Sequence, residues 1–215
     1  MAATPYAPVR WELVPGRTAL LLIDLQRDFL DPAGWYAQAG VDIEHMRRVI
    51  EPTKRAVEAA RRADVPVIWT RHGFRDERDA GPFMQLRPFL RDGGLRLDTW
   101  GFDLLDELDP RPDDWIVEKN RLSAFFRTKL ELVLTALGTE TLLIGGVLTN
   151  QCVAATSKDA MFRDLKPIVV EELTGTTLPH LHEPALEMIS VGWGEVRALD
   201  DVLAELGRLE VAAPA

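Results

Sequence analysis

Three polar residues follow separate apolar runs, and their types could together perform nucleophilic catalysis. Asp24 ends the run TALLLID, Lys119 ends WIVEK, and Cys152 lies shortly after TLLIGG. In the first turn of a predicted helix, beside an ammonium group, a cysteine thiol is expected to have a lowered pKa. A carboxylate within hydrogen-bond reach can take the thiol proton and return it to a leaving amine. The pattern predicts Cys152 as nucleophile, Asp24 as acid and base, and Lys119 as the cation that holds both in register.

Each of these residues also has an ordinary structural interpretation. Asp24 could cap a helix, Lys119 could be a solvated strand end, and Cys152 could be a small buried apolar residue. Lys119 could also orient the attacking group rather than shift a pKa, and the sequence does not separate these roles. Ligands of open parallel sheets bind beyond the carboxyl ends of the strands. The coincidence of all three residues at such ends therefore favours a catalytic site.

The elements that must position these residues alternate along the whole chain, as is typical of a parallel sheet with helices on both faces. The predicted strands cover 18–24, 65–70, 115–119, 141–146, 166–172 and 195–199. The predicted helices cover 43–63, 126–137, 150–163, 182–191 and 200–209, with Thr149 or Asn150 capping the third. Residues 71–99 have no clear period, and a loop of that length is usually functional. We predict one α/β domain, residues 1–215, in which 71–99 form a flap over the substrate site.

Composition excludes several classes of function. With 47% hydrophobic and 27% charged residues, the chain has ordinary globular usage. Its 25 basic and 34 acidic residues give a net charge of −9, which argues against nucleic acid as a partner. No apolar run reaches the ~18 residues of a membrane span, and the N-terminus lacks the apolar core of a signal peptide. A single cysteine suits a reducing compartment, so we expect a cytoplasmic protein without membrane or nucleic-acid partners.

Three segments resemble the signature stretches of the isochorismatase-like cysteine hydrolases. They are TALLLIDLQRDF, VEKNRLSAFFRTKLELVL and LLIGGVLTNQCVAATSKDAMFRD. The resemblance implies a Rossmann-like, three-layer α/β/α fold with a six-stranded, mostly parallel sheet, assembled as a homodimer or homotetramer. It implies that Asp24, Lys119 and Cys152 are the catalytic triad. It also implies a cis peptide bond at Val147–Leu148 and an oxyanion hole formed by the backbone amides of Leu148 and Cys152.

The branches of this family differ in their motifs. Isochorismatases cleave a vinyl ether without a thiol and commonly have glycine at the nucleophile position, so Cys152 argues against that branch. Nicotinamidases add an Asp, His, His metal site near the second strand, where this chain has Arg71 and His72. We therefore expect neither a metal nor a cofactor. The N-terminal third is most similar to biuret hydrolases and ureidoacrylate amidohydrolases, although Ile189 lies near the position of a substrate-holding glutamine in biuret hydrolases.

These observations predict a cysteine-dependent amidohydrolase. Its substrate would be a small amide or a ureido or carbamoyl compound, cleaved at a linear C–N bond through a covalent thioester-type intermediate. Two alternatives stay open. Asp24 alone could hydrolyse a vinyl ether, or the chain could be a non-catalytic binding or redox-sensing relative.

The predicted substrate-binding residues are Gln26, Phe29, Arg71, Arg121 and Phe125. Gln26 lies two residues after Asp24 and would point to the same side of an extended strand end. Phe29 and Phe125 flank the triad segments as candidate pocket walls. Arg71 and Arg121 could clamp a substrate carboxylate in a bidentate manner. The flap also contains further arginines that could serve this purpose: Arg75, Arg78, Arg87, Arg91 and Arg96.

Overall fold

A single sheet of six parallel strands forms the centre of the protein, in the order β3-β2-β1-β4-β5-β6. The structure is a computed structural model that describes residues 8–212, with side chains as far as residue 209. The strands are β1 (Thr18–Ile23), β2 (Val67–His72), β3 (Trp115–Lys119), β4 (Thr141–Val147), β5 (Lys166–Gly175) and β6 (Glu195–Arg197). The predicted α/β fold class with a six-stranded sheet is therefore confirmed.

Helices cover both faces of this sheet, as predicted. They are α1 (Arg27–Leu30), α2 (Trp35–Gln38), α3 (Glu44–Arg47), α4 (Ile50–Arg62), α5 (Glu77–Ala80), α6 (Phe83–Leu86), α7 (Leu130–Ala136), α8 (Ala154–Met161), α9 (His182–Gly192) and α10 (Leu199–Ala212). Short 3-10 turns cover Pro88–Leu90, Trp100–Phe102, Asp106–Leu108 and Pro179–Leu181. Within the described residues, no helix is long and apolar enough to cross a membrane.

The central strand β1 explains why the sheet has two apolar cores. Every residue of β1 is buried, because successive side chains point to opposite faces and both faces are covered. Leu20 and Leu22 pack into the core beneath α4 and α10, whereas Leu21 and Ile23 pack into the core beneath α7, α8 and α9. The alternation fixes the register of β1, and the register fixes where its carboxyl end lies.

Gly146 brings β4 unusually close to β1. Its φ is +117°, and a Cβ atom at this position would lie 2.1 Å from the carbonyl oxygen of Ile23. Since any side chain would force the two strands apart, the close approach requires glycine. Gly146 is paired with Ile23 in the parallel ladder, one residue before Asp24.

Several predicted boundaries were wrong for identifiable reasons. The predicted helix 43–63 is two helices, because Pro52 lacks the N–H that would bond the carbonyl of Arg48, where the break occurs. The predicted helix 126–137 begins only at Leu130, after Arg127 adopts a positive φ of 55°. Strand β2 runs to His72, two residues into the predicted flap, because its pairing with β3 continues to Lys119. The rest of the flap contains α5, α6 and a 3-10 turn.

Candidate active site

The carboxyl ends of β1, β3 and β4 bring Asp24, Lys119 and Cys152 together. The Lys119 Nζ lies 2.7 Å from the Asp24 Oδ2 and 3.4 Å from the Cys152 Sγ. All three residues are at least 96% buried. Lys119 also donates a hydrogen bond to the carbonyl oxygen of Arg121 at 3.0 Å, so its ammonium is held from three directions. The convergence that strand-end positions predicted is present in the structure.

Asp24 is held in one orientation by Thr70, two residues before the end of β2. The Thr70 hydroxyl donates to Asp24 Oδ1 at 2.6 Å and accepts from the Asp24 backbone N–H at 3.1 Å. One carboxylate oxygen therefore faces Thr70 and the other faces Lys119. Asp24 also has a φ of +56°, in the left-handed region that aspartate tolerates better than most residues. Sequence reasoning missed Thr70, although a hydroxyl near the end of the predicted neighbouring strand was the available signal.

Cys152 lies in a one-turn π-helix, Thr149–Val153, that joins β4 to α8. The turn begins after the cis peptide bond Val147–Leu148, which the family resemblance predicted. The Leu148 carbonyl accepts from the N–H groups of Gln151 at 3.0 Å and Val153 at 3.2 Å. The oxyanion-hole role of the Leu148 and Cys152 amides stays a prediction.

The predicted side-chain cap of this turn was wrong. The Thr149 hydroxyl is hydrogen-bonded to His182 Nδ1 at 3.0 Å, and Asn150 Oδ1 accepts from the Thr176 hydroxyl at 2.8 Å. His182 in turn contacts the Arg48 guanidinium at 2.8 Å through Nε2. The two polar side chains anchor the nucleophile turn to α9 and to the end of β5 instead of capping a helix.

The electrostatics of Cys152 differ from the sequence expectation. Burial raises the pKa of the Cys152 thiol to about 12, and the negative charge of Asp24 adds to this effect while Lys119 opposes it. The predicted lowering of this pKa was therefore wrong, because burial outweighs the ammonium. Burial also disfavours the charged form of Lys119, yet the charges of Asp24 and Cys152 outweigh it and raise the Lys119 pKa. At neutral pH the site holds a protonated thiol beside a charged ammonium.

His72 is a buried imidazole at the edge of the same site. Its Nδ1 lies 3.8 Å from Asp24 Oδ2, and its ring packs 5.3 Å from Phe83. Within the described residues, neither ring nitrogen has a hydrogen-bond partner. Burial, followed by the charges of Lys119, Arg87 and Arg121, lowers its pKa well below the usual value, so the ring is neutral. Neutral His72 therefore faces the carboxylate without forming an ion pair.

The side chains of Asp24, His72 and Cys152 include donor atoms that a divalent metal could use. These atoms lie within 4.8 Å of one another. The Lys119 ammonium, 2.7 Å from the same carboxylate, opposes a cation there. The expectation of a metal-free site stays a prediction.

Two of the predicted substrate-binding residues have protein partners near the site. The Gln26 side chain donates to the carbonyls of His72 at 3.1 Å and Phe102 at 2.8 Å, and accepts from the His72 N–H at 2.6 Å. Phe29 packs against the Tyr36 ring at a centroid distance of 4.6 Å. In this structure both side chains support the walls of the site, and direct contact with a substrate stays a prediction.

The other three predicted substrate-binding residues also have partners. Arg71 forms ion pairs with Glu118 at 2.5 Å and Asp103 at 3.4 Å. Arg121 donates to the carbonyl of Asp79 at 2.9 Å and to that of Asn120 at 2.6 Å. Phe125 is buried, with the Arg163 guanidinium 4.7 Å from its ring. A substrate carboxylate would have to compete with existing acceptors at both arginines.

A cavity of about 590 Å³ adjoins the nucleophile turn at Leu148 and Gln151. The flap contributes Leu86, Arg87 and Phe89 to its wall, and the segments after β1 and β5 supply the remaining lining. Its other lining residues are Tyr36, Val41, Asp42, Thr177 and Leu178. A small ligand in this cavity would lie beside the turn that carries Cys152.

Comparisons with known proteins place most of the chain in one family. The family model of the isochorismatase domain matches residues 18–201. The chain is 32% identical to a ureidoacrylate amidohydrolase, RutB, from Methylobacterium radiotolerans over 97% of this chain and 88% of that one. It is also 32% identical to the RutB of Klebsiella pneumoniae over 100% of this chain and 96% of that one.

Solved structures show the same fold. A cysteine hydrolase from Pseudomonas syringae pv. phaseolicola 1448A aligns with a TM-score of 0.87 and 28% identity, over 96% of this chain and all of that one. N-carbamoylsarcosine amidase from Thermoplasma acidophilum aligns with a TM-score of 0.70 and 22% identity, over 86% of this chain and 97% of that one. The first of these covers nearly the whole chain.

Proposed function

Because the chain belongs to the isochorismatase domain family, we propose that it is a cysteine-dependent amidohydrolase that cleaves a linear C–N bond of a small amide or ureido compound. The observation that carries the proposal is the buried contact of the Lys119 ammonium with both Asp24 and Cys152. The relatives named ureidoacrylate amidohydrolases match almost the whole chain, which supports a hydrolase of C–N bonds in linear amides.

The first half of the reaction begins with a neutral thiol, since the Cys152 pKa is raised. As Sγ attacks the substrate carbonyl carbon, the thiol proton passes to the Asp24 carboxylate and a C–S bond forms. The negative charge that develops on the carbonyl oxygen is stabilised by the backbone amides of Leu148 and Cys152. When the tetrahedral intermediate collapses, the C–N bond breaks and Asp24 gives its proton to the departing nitrogen. Lys119 keeps its proton throughout and balances the charge on Asp24 and on sulfur.

The second half of the reaction hydrolyses the thioester or thiocarbamate. Water gives a proton to the Asp24 carboxylate and adds to the acyl carbon, so a C–O bond forms. The C–S bond then breaks, and Asp24 returns the proton to the Cys152 sulfur. Both half-reactions use the same carboxylate, which explains why one buried acid beside one thiol is enough.

Other properties carried over from the resemblance stay predictions. Gln26, Phe29, Arg71, Arg121 and Phe125 stay candidate substrate-binding residues, each with the protein partners described above. Assembly as a homodimer or homotetramer and a cytoplasmic location also stay predictions.

The test is ammonia release from biuret, ureidoacrylate, N-carbamoyl amino acids, nicotinamide and simple aliphatic amides. The expected result is release from at least one ureido or amide compound by the native protein and none by Cys152→Ala, with unchanged circular dichroism. Mass spectrometry should detect a Cys152 adduct during turnover. Activity that survives in Cys152→Ala would contradict thiol catalysis and favour acid-only chemistry by Asp24. If folded native protein releases ammonia from none of these compounds, the proposed substrate class is contradicted.

A further inference from the structure

Arg87 is a half-buried arginine of the flap whose guanidinium has a single hydrogen-bond acceptor among the described residues. Its Nη2 donates to the Gln151 side-chain carbonyl, and its guanidinium stacks 4.2 Å from the centre of the Phe83 ring. Among the residues that the structure describes, no carboxylate oxygen lies within 4.0 Å of its nitrogens. The guanidinium carries five N–H donors, and one amide acceptor leaves most of them for a ligand.

Three other half-buried arginines nearby each have at least two acceptors. Arg71 pairs with Glu118 and Asp103, and Arg27 pairs with Asp103 and Asp106. Arg96 donates to the carbonyls of Leu90 and Gly94 at 2.7 and 2.8 Å. Arg87 is therefore the half-buried flap arginine with the fewest protein acceptors, and it lines the cavity.

The position of Arg87 links this charge to the reacting centre. It lines the 590 Å³ cavity together with Gln151, the residue immediately before Cys152. Tyr36 lines the same cavity; burial raises its pKa, so the phenol stays protonated and can donate a hydrogen bond. Asp42 is the one acid in this lining; it is exposed, and its Oδ1 accepts from the Glu44 N–H. A ligand in the cavity would therefore meet a cation and a neutral donor on the side nearest Cys152.

Arg87 places a positive charge beside the site in a protein whose net charge is negative. The net charge of the protein is −9. At His72, beside the triad, the charges that lower the imidazole pKa are those of Lys119, Arg87 and Arg121. Arg87 is the one cation in the lining of this cavity, and its charge favours a small anion at that wall over a neutral molecule of the same size.

We propose that Arg87, assisted by Tyr36 and Gln151, binds a carboxylate of the substrate, so that the enzyme selects ureido acids over neutral ureas. This inference rests on the proposed amidohydrolase function and adds the substrate class. A carboxylate would accept two parallel N–H bonds from the guanidinium, a geometry that lysine or a neutral side chain does not reproduce. Fixing one end of the substrate next to Gln151 places its ureido carbonyl toward the adjacent Cys152.

A pair of ureas with the same reacting group tests the proposal. N-carbamoyl-β-alanine carries the carboxylate, propylurea lacks it, and hydrolysis of either releases ammonia. The native protein should have a higher kcat/KM for the acid than for propylurea. In Arg87→Gln, KM for the acid should rise about 10- to 100-fold, as for loss of a charged hydrogen-bonded pair, and the preference ratio should fall toward one. Arg87→Lys should recover only part of the preference.

The matched control is Arg91→Gln. Arg91 is one of the flap arginines predicted to be able to bind a carboxylate, but it is exposed and does not line this cavity, so its removal should leave the preference unchanged. A native protein without preference for the acid, or an Arg87→Gln variant that loses activity on both ureas in proportion, would overturn the proposal. Binding of N-carbamoyl-β-alanine to Cys152→Ala, measured by calorimetry, separates the subsite from the chemistry. Binding that Arg87→Gln abolishes supports the subsite even if no urea is hydrolysed, whereas absence of binding overturns it. Absence of ammonia from both ureas counts against the proposed function instead.

Discussion

The strand ends and the flap of this protein hold their polar side chains in different ways. At the strand ends, Asp24, Lys119 and Cys152 are almost completely buried and contact one another. In the flap, residues 71–99, the charged side chains are largely exposed or half-buried, and Arg96 donates only to backbone carbonyls. Parallel strands hold side chains at their ends in fixed positions. Loop residues can be substituted without disturbing the sheet. We therefore propose that the sheet positions the reacting groups and that the flap determines the choice of substrate.

The largest expected difference between the two regions is in stability. Lys119→Met leaves the Asp24 charge buried without a partner, so we expect the free energy of unfolding to fall by about 3–5 kcal/mol. The matched change, Arg71→Met, breaks a more exposed pair with Glu118 and should cost at most about 1 kcal/mol. Denaturant unfolding of both variants measures the difference. Equal losses would contradict the distinction between a fixed strand end and an adaptable flap.

Thr70→Val should affect the reaction more than the fold of the substrate cavity. The substitution removes the 2.6 Å hydrogen bond to Asp24 Oδ1, and the carboxylate loses a defined orientation. We expect kcat to fall by about tenfold, the equivalent of one hydrogen bond to a charged group, with little change in KM. Thr70→Ser keeps the hydroxyl and should retain most of the activity. A rise in KM without a fall in kcat would place Thr70 in substrate binding instead.

The raised pKa of the buried Cys152 thiol should affect how the free energy of unfolding depends on pH. Because the Cys152 pKa is about 12 in the folded protein and ordinarily 9.0, the unfolded chain releases this proton first. The contribution of Cys152 to the free energy of unfolding is complete below pH 9 and is lost as the pH rises toward 12. Native protein should therefore lose more stability between pH 8 and pH 10 than Cys152→Ser does. Parallel curves for the two proteins would contradict the raised pKa, as would rapid labelling of Cys152 by iodoacetamide below pH 7.

The smallest expected effect lies in the flap. Asp76 caps α5 by accepting from the Asp79 N–H at 2.9 Å. Asp76→Ala should destabilise α5 locally and raise KM modestly, since α5 belongs to the flap and not to the sheet. Hydrogen exchange should show faster opening of residues 77–80 and no change in β1 or β4. Accelerated exchange in the central strands would show that flap and sheet unfold as one unit.

The sequence predicted the sheet and the three strand-end residues because both depend on patterns along the chain. Uninterrupted apolar runs locate β1 and β4, and polar residues at their ends locate Asp24 and Cys152. Such patterns do not show which side chains of different strands and loops contact one another. Thr70, the hydrogen bonds of Gln26 and the ion pair of Arg71 with Glu118 all connect residues more than forty positions apart. The raised pKa of Cys152 depends on how completely the site is buried, which periodicity does not measure.

The order of the strands constrains which amino acid can supply the cation. Asp24 and Cys152 follow neighbouring strands, β1 and β4, but Lys119 ends β3, which lies beyond β2. Two strand spacings amount to about 10 Å, a gap that only a long side chain can span. In a saturation library at position 119, variants with short polar side chains should therefore lose activity as completely as variants with apolar side chains. An amine delivered from a neighbouring strand could use a shorter side chain, so the requirement for lysine follows from the topology as well as from charge.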